Sequence, residues 1–375
     1  DATITVNAGG DGLQSNNDED ATKGYILIEG GIFKITTGLD GIQAETQLTV
    51  NGGTLNLITG GGNTVNYESE ESAKGLKAGV SVTIAGGTIN IDSADDAVHA
   101  NGSVMVSGGD LQITSGDDGI HADVAITIND GNVNIIKAYE GIESVLITIN
   151  GGNIHLNTED DGINGSGGVD GSSVNGRPGQ NQFEAGNAQV FLNGGYLYVN
   201  AQGDGLDSNG TMAMSGGTVI VNGPTNNGNG SLDFSSFDIS GGYLITAGSS
   251  GMAQSPSTSS TQYSVMYNFD TMQSAGTLVH IETENGEEAL TFAPAKEFQS
   301  VVVSSPELVN GSTYVVYLGG STTGTPIDGL YSDGSYTAGS QVASFIISSM
   351  VTTLGAAGGF GPGGGMPPGG TPPQP

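Results

Sequence analysis

One short phrase recurs with small changes between Asp95 and Ile163. It reads Asp95-Asp96-Ala97-Val98-His99-Ala100, then Asp117-Asp118-Gly119-Ile120-His121-Ala122, then Tyr139-Glu140-Gly141-Ile142-Glu143-Ser144, and then Asp160-Asp161-Gly162-Ile163-Asn164-Gly165. The second acid of each phrase lies at position 96, 118, 140 or 161, so the period is 22, 22 and 21 residues. An internal period of this length indicates stacked repeats, none of which can bury a core of its own.

A Gly-Gly pair marks a second position in each repeat, and apolar residues alternate with polar ones on both sides of it. Val82 and Ile84 precede Gly86, for example, and Ile89 and Ile91 follow it. This period of two is typical of half-buried strands, and no stretch keeps the 3.6-residue pattern of a helix. Parallel strands joined by helices need longer connections. Three short strands in each coil of about 22 residues therefore predict an all-β chain folded as a right-handed parallel β-helix.

The repeat fades after Gly241-Gly242, which divides the chain into three parts. We expect the parallel β-helix to occupy residues 1–251 and a β-rich capping region to occupy residues 252–354. Such a cap would cover the backbone edge at the open end of the helix. Residues 355–375 are rich in glycine and proline, and we expect them to form a disordered tail.

Composition limits the classes of partner. The 375 residues carry a formal charge of -32, with 66 glycines and only seven Lys and Arg. So few cations argue against nucleic acid and anionic membranes, and favour cations, neutral polymers or acidic polymers bridged by cations. No stretch is long and apolar enough for membrane insertion, and there is no cysteine. Because the chain opens at Asp1 without a signal-like segment, we expect a mature secreted or bacterial cell-surface form whose leader has been removed.

The repeated acids predict a metal site. Adjacent coils lie about 4.8 Å apart, and unit charges at that distance repel by about 3 kcal/mol at an effective dielectric constant near 20. Bound Ca²⁺ would relieve this repulsion, because it takes carboxylate, carbonyl and water oxygens. The candidate ligands are Asp95, Asp96, Asp117, Asp118, Glu140, Glu143, Asp160 and Asp161. The alternative is that each Asp-Gly simply forms a turn.

One coil carries lysine at the position of the acid, in the variant phrase Ala73-Lys74-Gly75-Leu76-Lys77-Ala78. We expect Lys74 to act as an internal cation that pairs with Asp40 or Asp96, with no metal at that level. His99 and His121 follow the acids by three residues. With no third imidazole in their column, solvated histidines are favoured over a zinc site.

Candidate ligand-binding side chains lie on the outward face of the strands and beside the acids: they are Tyr67, Lys137, Tyr139, His155, Tyr196 and Tyr198. Tyr196 and Tyr198 are suited to stacking on sugar rings. A polysaccharide lyase would need a base near the metal, and Lys137 is the weak candidate for it. The alternative is that Lys137 only balances the charge of its acidic surroundings.

The Gly-Gly coils, the Asp-Asp-Gly-Ile phrase and the Lys74-Gly75-Leu76-Lys77-Ala78 variant resemble a family of secreted bacterial carbohydrate-binding β-helix proteins. The segment Ala293-Pro294-Ala295-Lys296 contributes to the resemblance. It implies a pectate-lyase-like fold with bound calcium, and non-catalytic binding of cellulose and acidic, pectin-like polymers such as polygalacturonate from plant cell walls. A pectate-type lyase using Ca²⁺ and a lysine base is one alternative, and a structural cell-surface adhesin or stalk is another.

Overall fold

The computed structural model describes residues 2–20, 22–65, 67, 71–166 and 186–355. These residues form strands, turns and irregular segments without a helix, so the all-β prediction is confirmed. Within this part of the chain, no helix is therefore long and apolar enough to cross a membrane.

Twenty-two strands belong to the repeat: β1 (Thr3–Ala8), β2 (Leu13–Ser15), β3 (Ile26–Ile28), β4 (Ile32–Thr37), β5 (Ile42–Ala44), β6 (Gln47–Val50), β7 (Thr54–Thr59), β8 (Leu76–Ala78), β9 (Ser81–Ile84), β10 (Thr88–Ser93), β11 (Val98–Ala100), β12 (Ser103–Ser115), β13 (Ile120–Ala138), β14 (Ile142–Ile149), β15 (Asn153–Thr158), β16 (Ile163–Gly165), β17 (Gln189–Leu192), β18 (Tyr196–Ala201), β19 (Leu206–Met214), β20 (Thr218–Asn222), β21 (Leu232–Ile239) and β22 (Tyr243–Gly248). Nine more follow: β23 (Ser264–Gln273), β24 (Val279–Thr283), β25 (Glu288–Phe292), β26 (Phe298–Ser304), β27 (Thr313–Leu318), β28 (Ser321–Thr322), β29 (Tyr336–Thr337), β30 (Ser340–Ile346) and β31 (Val351–Gly355).

The repeat strands pair in three parallel ladders, so that each coil of the chain lies on the one before it. The first ladder, formed by strands that follow the Gly-Gly pairs, is β1-β4-β7-β10-β12-β13-β15-β18-β20-β22. The second is formed by strands that precede those pairs, and runs β3-β6-β9-β12-β13-β14-β17-β19-β21. The third contains the residues that follow the acids, and runs β2-β5-β8-β11-β13-β14-β16-β19-β21.

The apolar positions of the repeat form one continuous core. Leu55, Ile89 and Leu111 are opposite one another on successive coils, and each is completely buried. The same holds for Leu76, Val98 and Ile120 in the third ladder. Each coil therefore stacks its apolar side chains on those of the coils on either side, as expected for a stacked repeat.

The Gly-Gly pair is explained by its second residue. In each described pair the second glycine has a positive φ, from +79° at Gly195 to +110° at Gly131. L-residues with a Cβ are strained in this conformation, whereas glycine adopts it freely. Asp130-Gly131 can therefore replace Gly-Gly, because it keeps the glycine at the second position.

Beyond the repeat, the sheet continues with antiparallel strands. β26 pairs antiparallel with the last repeat strand β22 and with β23, whereas β31 pairs with β23 in parallel. A separate antiparallel sheet has the order β25-β24-β27-β30. A second apolar cluster joins these strands to the repeat through Ile220 and Ile245. The proposed disordered tail begins at Gly355, the last residue of β31, and its other residues lie outside the described part of the chain.

The corner containing Gly30 and Gly31 allows a matched test of this backbone requirement. Gly31 has a φ of +105°, and a Cβ on it would lie 3.0 Å from the backbone oxygen of Ala2. A Cβ on Gly30 would meet nothing within 4 Å. Gly31→Ala should therefore lower the free energy of unfolding by about 1–3 kcal/mol, and Gly30→Ala by less than about 0.5 kcal/mol. Urea denaturation measures both, and equal losses would contradict the explanation.

Candidate functional site

The repeated acids lie where each coil enters the third ladder, a region we term the acid corner (residues 11, 40, 74, 95–96, 117–118, 140–143, 160–164, 204–207 and 233). Five of its carboxylates each accept the backbone N–H of the equivalent residue on the next coil. The pairs, acceptor first, are Asp11 and Asp40, Asp40 and Lys74, Asp96 and Asp118, Asp161 and Asp204, and Asp204 and Gly230. Each of these acids therefore ties two coils together. This contact accounts for a short acid at this position in the repeat.

Lys74 provides the positive charge at the first buried level of the corner. Its side chain is 1% exposed, and Nζ lies 2.9 Å from Asp95 Oδ1 and 2.6 Å from Asp96 Oδ2. Burial raises the pKa of Asp96, but the ammonium of Lys74 and the hydrogen bond with His99 outweigh burial and hold this pKa well below its usual range. The ammonium occupies the position between Asp95 and Asp96 where a metal would bind. This geometry argues against these two residues as metal ligands, although the sequence predicted both.

His99 and His121 are stacked on successive coils, with ring centroids 5.1 Å apart and an interplanar angle of 7°. Each residue is 2% exposed, so the prediction of solvated histidines is wrong. His99 Nδ1 lies 2.8 Å from Asp96 Oδ2. The covering of this corner depends on tertiary packing that the spacing of the acids does not reveal.

His121 provides the positive charge at the next level. Its Nδ1 lies 3.1 Å from Asp118 Oδ2 and 3.2 Å from Glu143 Oε2, and its Nε2 lies 3.3 Å from Asp123 Oδ1. Burial lowers the pKa of His121, but these hydrogen bonds outweigh burial and raise it far above its usual value. Burial likewise raises the pKa of Glu143, but the hydrogen bond with His121 outweighs it, and the pKa is lowered to about 2. Burial and the charge of Glu143 raise the pKa of Asp118 well above its usual range, although His121 also contacts it. His121 thus supplies one positive charge to two carboxyl groups, those of Asp118 and Glu143.

At Asn164, which is 8% exposed, an amide lies opposite the charged side chain of Glu143 on the preceding coil. Asn164 Nδ2 donates to Glu140 Oε2 at 2.7 Å, and Glu143 Oε1 accepts from the hydroxyl of Ser166 at 2.6 Å. Asn164 Oδ1 is buried without a hydrogen-bond partner among the described residues. In the third ladder, Asn164 lies between Glu143 on one side and Asp207 on the other.

Beyond Asn164, the corner contains three carboxylates that lie close together. Asp204, Asp207 and Asp233 bring carboxylate oxygens within 4.8 Å of one another. The structure shows no ion pair to these three residues within its described ranges. Asp161 adjoins the group, because its Oδ1 accepts the N–H of Asp204 at 2.6 Å. Asp233 Oδ1 also accepts a hydrogen bond from Gln254 Nε2, at 2.8 Å.

The pKa values of this group are raised, in contrast with those of Asp96 and Glu143. Burial and the neighbouring acids raise the pKa of Asp204 to about 7 and that of Asp207 to about 8. Burial and the charge of Glu140 raise the pKa of Asp161 well above its usual range. Loss of a proton here leaves a negative charge in a largely buried place, beside other acids.

Sequence reasoning missed Asp204, Asp207 and Asp233 as site residues. The signal was present, because Asp204-Gly205-Leu206-Asp207 repeats the phrase after a long insertion. Leu206 is opposite Ile163, and Asp207 is opposite both Asn164 and Asp233. The insertion of residues 167–185 hides the period, and this segment lies outside the described residues.

Two further groups of side chains also bring possible ligand atoms within 4.8 Å of one another. Asp95, Asp96 and Asp117 form one group, and Asp118, His121 and Glu143 form the other. Lys74 contacts the first group, and His121 belongs to the second. The group of Asp204, Asp207 and Asp233 contains only oxygen donors. Its chemistry fits Ca²⁺, which takes six to eight oxygen ligands, and the unpartnered Asn164 Oδ1 fits the same requirement.

The proposed sugar-stacking residues lie elsewhere, under the C-terminal strands. Tyr196 donates its hydroxyl to Asp328 Oδ2 at 2.7 Å, and His155 Nε2 lies 2.9 Å from the same oxygen. Tyr196 and Tyr198 also pack against the second apolar cluster. These half-buried rings serve the contact between two parts of the chain, and they do not form an open platform.

The other candidates are separate from this contact. Lys137 Nζ lies 3.2 Å from Glu159 Oε1, and both side chains are exposed. This geometry favours a charge-balancing role over that of a base. Tyr139 is 37% exposed beside Glu140, and Tyr67 is half-buried between two stretches outside the described residues.

A comparison with known families adds an independent finding. A family model described as a carbohydrate-binding domain-containing protein matches residues 1–119. The match supports carbohydrate binding. It covers the coils from β1 to β12, and the chain is similar to that family over this part. No curated protein and no solved structure matches the chain.

Removal of the internal ammonium should be strongly destabilising. Lys74→Met keeps the volume of the side chain but removes the ammonium that offsets the buried charges of Asp95 and Asp96, which should cost about 3–5 kcal/mol. Lys137→Met breaks an exposed pair and should cost at most about 1 kcal/mol. The free energy of unfolding of both variants, measured in guanidinium at pH 7, tests this. A loss below about 1 kcal/mol in Lys74→Met would contradict the assigned role.

The metal-free protein should lose stability as the pH rises through the raised pKa values of Asp204, about 7, and Asp207, about 8. The unfolded chain ionises these groups near pH 4. Their contribution to stability is therefore complete below that pH and is lost as the pH rises through the folded pKa. Asp207→Asn stays neutral, so the loss between pH 5 and pH 8.5 should shrink by on the order of 1 kcal/mol or more.

Urea unfolding in EDTA at the two pH values measures this difference. Asp238→Asn changes an exposed acid and is the matched control. If the Asp207→Asn protein lost as much stability as the wild-type protein, the attribution to Asp207 would be wrong.

Proposed function

We propose that this chain is a calcium-stabilised, non-catalytic polysaccharide-binding protein built on a right-handed parallel β-helix. The observation that carries the binding proposal is the match of residues 1–119 to a carbohydrate-binding domain family. The three in-register parallel ladders support the β-helix. On the same proposal, residues 252–354 cap the open end of the coils through the pairing of β22 with β26.

Calcium in this proposal binds Asp204, Asp207 and Asp233, with Asn164 Oδ1 and Asp161 on the preceding coil completing the set of oxygens. Asp207 and Asp233 lie on successive coils of the third ladder, so a cation held by both would join those coils. It would supply the positive charge that Lys74 and His121 supply at the other levels. This arrangement favours a structural ion over one that bridges to the ligand.

The composition of the chain indicates which class of polymer it would bind. A secreted or cell-surface protein with few basic side chains would bind neutral polymers such as cellulose, or acidic polymers such as polygalacturonate when cations are present. Plant cell walls supply both. A lyase receives no support from the geometry, because Lys137 pairs with Glu159 at the surface.

Wild-type protein should be retained on cellulose and on polygalacturonate in pull-down assays, and EDTA should lower its unfolding temperature. Calcium at 100 times its dissociation constant would contribute about 2.7 kcal/mol, which corresponds to a shift of a few degrees. The shift should be absent in the double variant Asp207→Asn/Asp233→Asn and present in the exposed control Asp238→Asn. Retention that survives EDTA would support a structural ion.

Other outcomes of this assay count against the proposal. Loss of retention in EDTA without a stability change would place calcium between protein and ligand. Absence of retention on any polysaccharide would overturn the binding function and favour a structural stalk. If the wild-type protein released unsaturated products and the Lys137→Ala variant did not, the protein would be a lyase.

A further inference from the structure

The outward side of the first ladder is one continuous face that changes composition along its length. Its central column runs through Thr5, Lys34, Asn56, Asn90, Gln112, Asn134, His155, Tyr198, Ile220 and Ile245. The first part of the column is polar, and the last part is aromatic and aliphatic. We term the part from Thr5 to Asn134 the amide face.

As far as Gly355, where the described residues end, the C-terminal part of the chain covers the aromatic and aliphatic end of this column. Ile220 and Ile245 are 0% and 1% exposed and belong to the second apolar cluster. His155 and Tyr196 contact Asp328. The amide face, in contrast, is an open groove of about 780 Å³. The change in composition therefore coincides with the boundary between the covered and the open part.

The amide face is close to neutral on a chain with a formal charge of -32. Of the residues that line the groove, only Lys34 and Asp92 are charged, one of each sign. An anionic polymer would find one cation here, and a cationic partner would find one acid. This balance favours an uncharged ligand over a uronate chain.

The side chains of the face offer paired hydrogen-bonding groups. Asn90 Nδ2 donates to Asn56 Oδ1 at 3.0 Å, and Asn134 Nδ2 donates to Gln112 Oε1 at 2.7 Å. A primary amide has two N–H groups and two lone pairs, so each pair keeps donors and acceptors for a ligand while its partners hold it in position. Sugar hydroxyls both donate and accept, and such fixed amides suit them.

Apolar groups lie beside the amides. Ile58 and Ile136 line the groove and are 42% and 51% exposed. A pyranose ring presents C–H groups on its faces and hydroxyls at its edge, which matches a surface where aliphatic side chains flank amides. The spacing of about 4.8 Å between coils is also close to the length of one sugar unit in an extended β-linked chain.

We infer that the amide face binds a neutral, extended β-linked polysaccharide along the stack of coils, independently of calcium. The inference rests on the proposed function and assigns it a site. The family match supports this location, because residues 1–119 include five of the six amide-face strands completely, β1, β4, β7, β10 and β12. The acid corner belongs to the third ladder, so its cations do not take part in this contact.

The test uses the triple variant Asn56→Ala/Asn90→Ala/Gln112→Ala. A matched control exists at another corner, where Asn150 Nδ2 donates to Asn129 Oδ1 and Asn193 Nδ2 donates to Asn150 Oδ1, both at 2.9 Å. The control variant Asn129→Ala/Asn150→Ala/Asn193→Ala removes three hydrogen-bonded amides outside the groove. Circular dichroism and unfolding temperature establish that both variants fold.

Binding of cellohexaose and of soluble hydroxyethylcellulose is measured by titration calorimetry and affinity electrophoresis, with and without EDTA. The amide-face variant should bind at least tenfold more weakly, and the control variant and EDTA should leave affinity unchanged. Equal affinity of the two folded variants would overturn the assigned site while leaving the proposed function intact. Binding of polygalacturonate but not of the neutral polymers through this face would overturn the ligand class. Wild-type protein that binds no glycan would overturn both proposals.

Discussion

A buried column of carboxylates is the constraint on which the stacked coils depend. Asp40 and Asp96, like the equivalent acids at 11, 161 and 204, accept a backbone N–H from the next coil, so the acid corner fixes the distance and register between coils. A carboxylate accepts such bonds more strongly than a neutral group. The cost is a row of like charges with little access to water, and each level of the corner needs a way to offset that charge.

The chain offsets this charge differently along the column. Lys74 inserts an ammonium between Asp95 and Asp96, and His121 holds an imidazolium against Asp118 and Glu143. Among the described residues, Asp204 and Asp207 contact neither kind of cation, and burial and the neighbouring acids raise their pKa values. A buried charge without a partner is costly, so protonation or a bound cation is the remaining solution at these levels. The same local motif is therefore structural in one half of the corner and a candidate metal centre in the other.

Much of this arrangement is readable from the sequence, because stacking imposes its period on every column. The apolar positions, the all-β class and the special role of the Gly-Gly corner follow from spacing and from the conformational freedom of glycine. The burial of His99 and His121 does not follow, because it depends on what covers the corner. Asp204, Asp207 and Asp233 were missed because residues 167–185 interrupt the count. The contact of Tyr196 with Asp328 joins positions 132 residues apart, which no local pattern encodes.

The first ladder shows how one face can serve both cohesion and recognition. Its strands have the same backbone geometry throughout, so composition alone separates the covered end from the open one. Ile220 and Ile245 bury apolar area against the C-terminal strands, and that contact stabilises the chain. Asn56 and Asn90 at the open end would lose water on such burial without an equivalent apolar gain. The amides therefore limit how far the C-terminal region can extend along the ladder, and this limit keeps the groove accessible. The binding that we propose for this face is thus separate from the acid corner, whose carboxylates accept backbone N–H groups between coils.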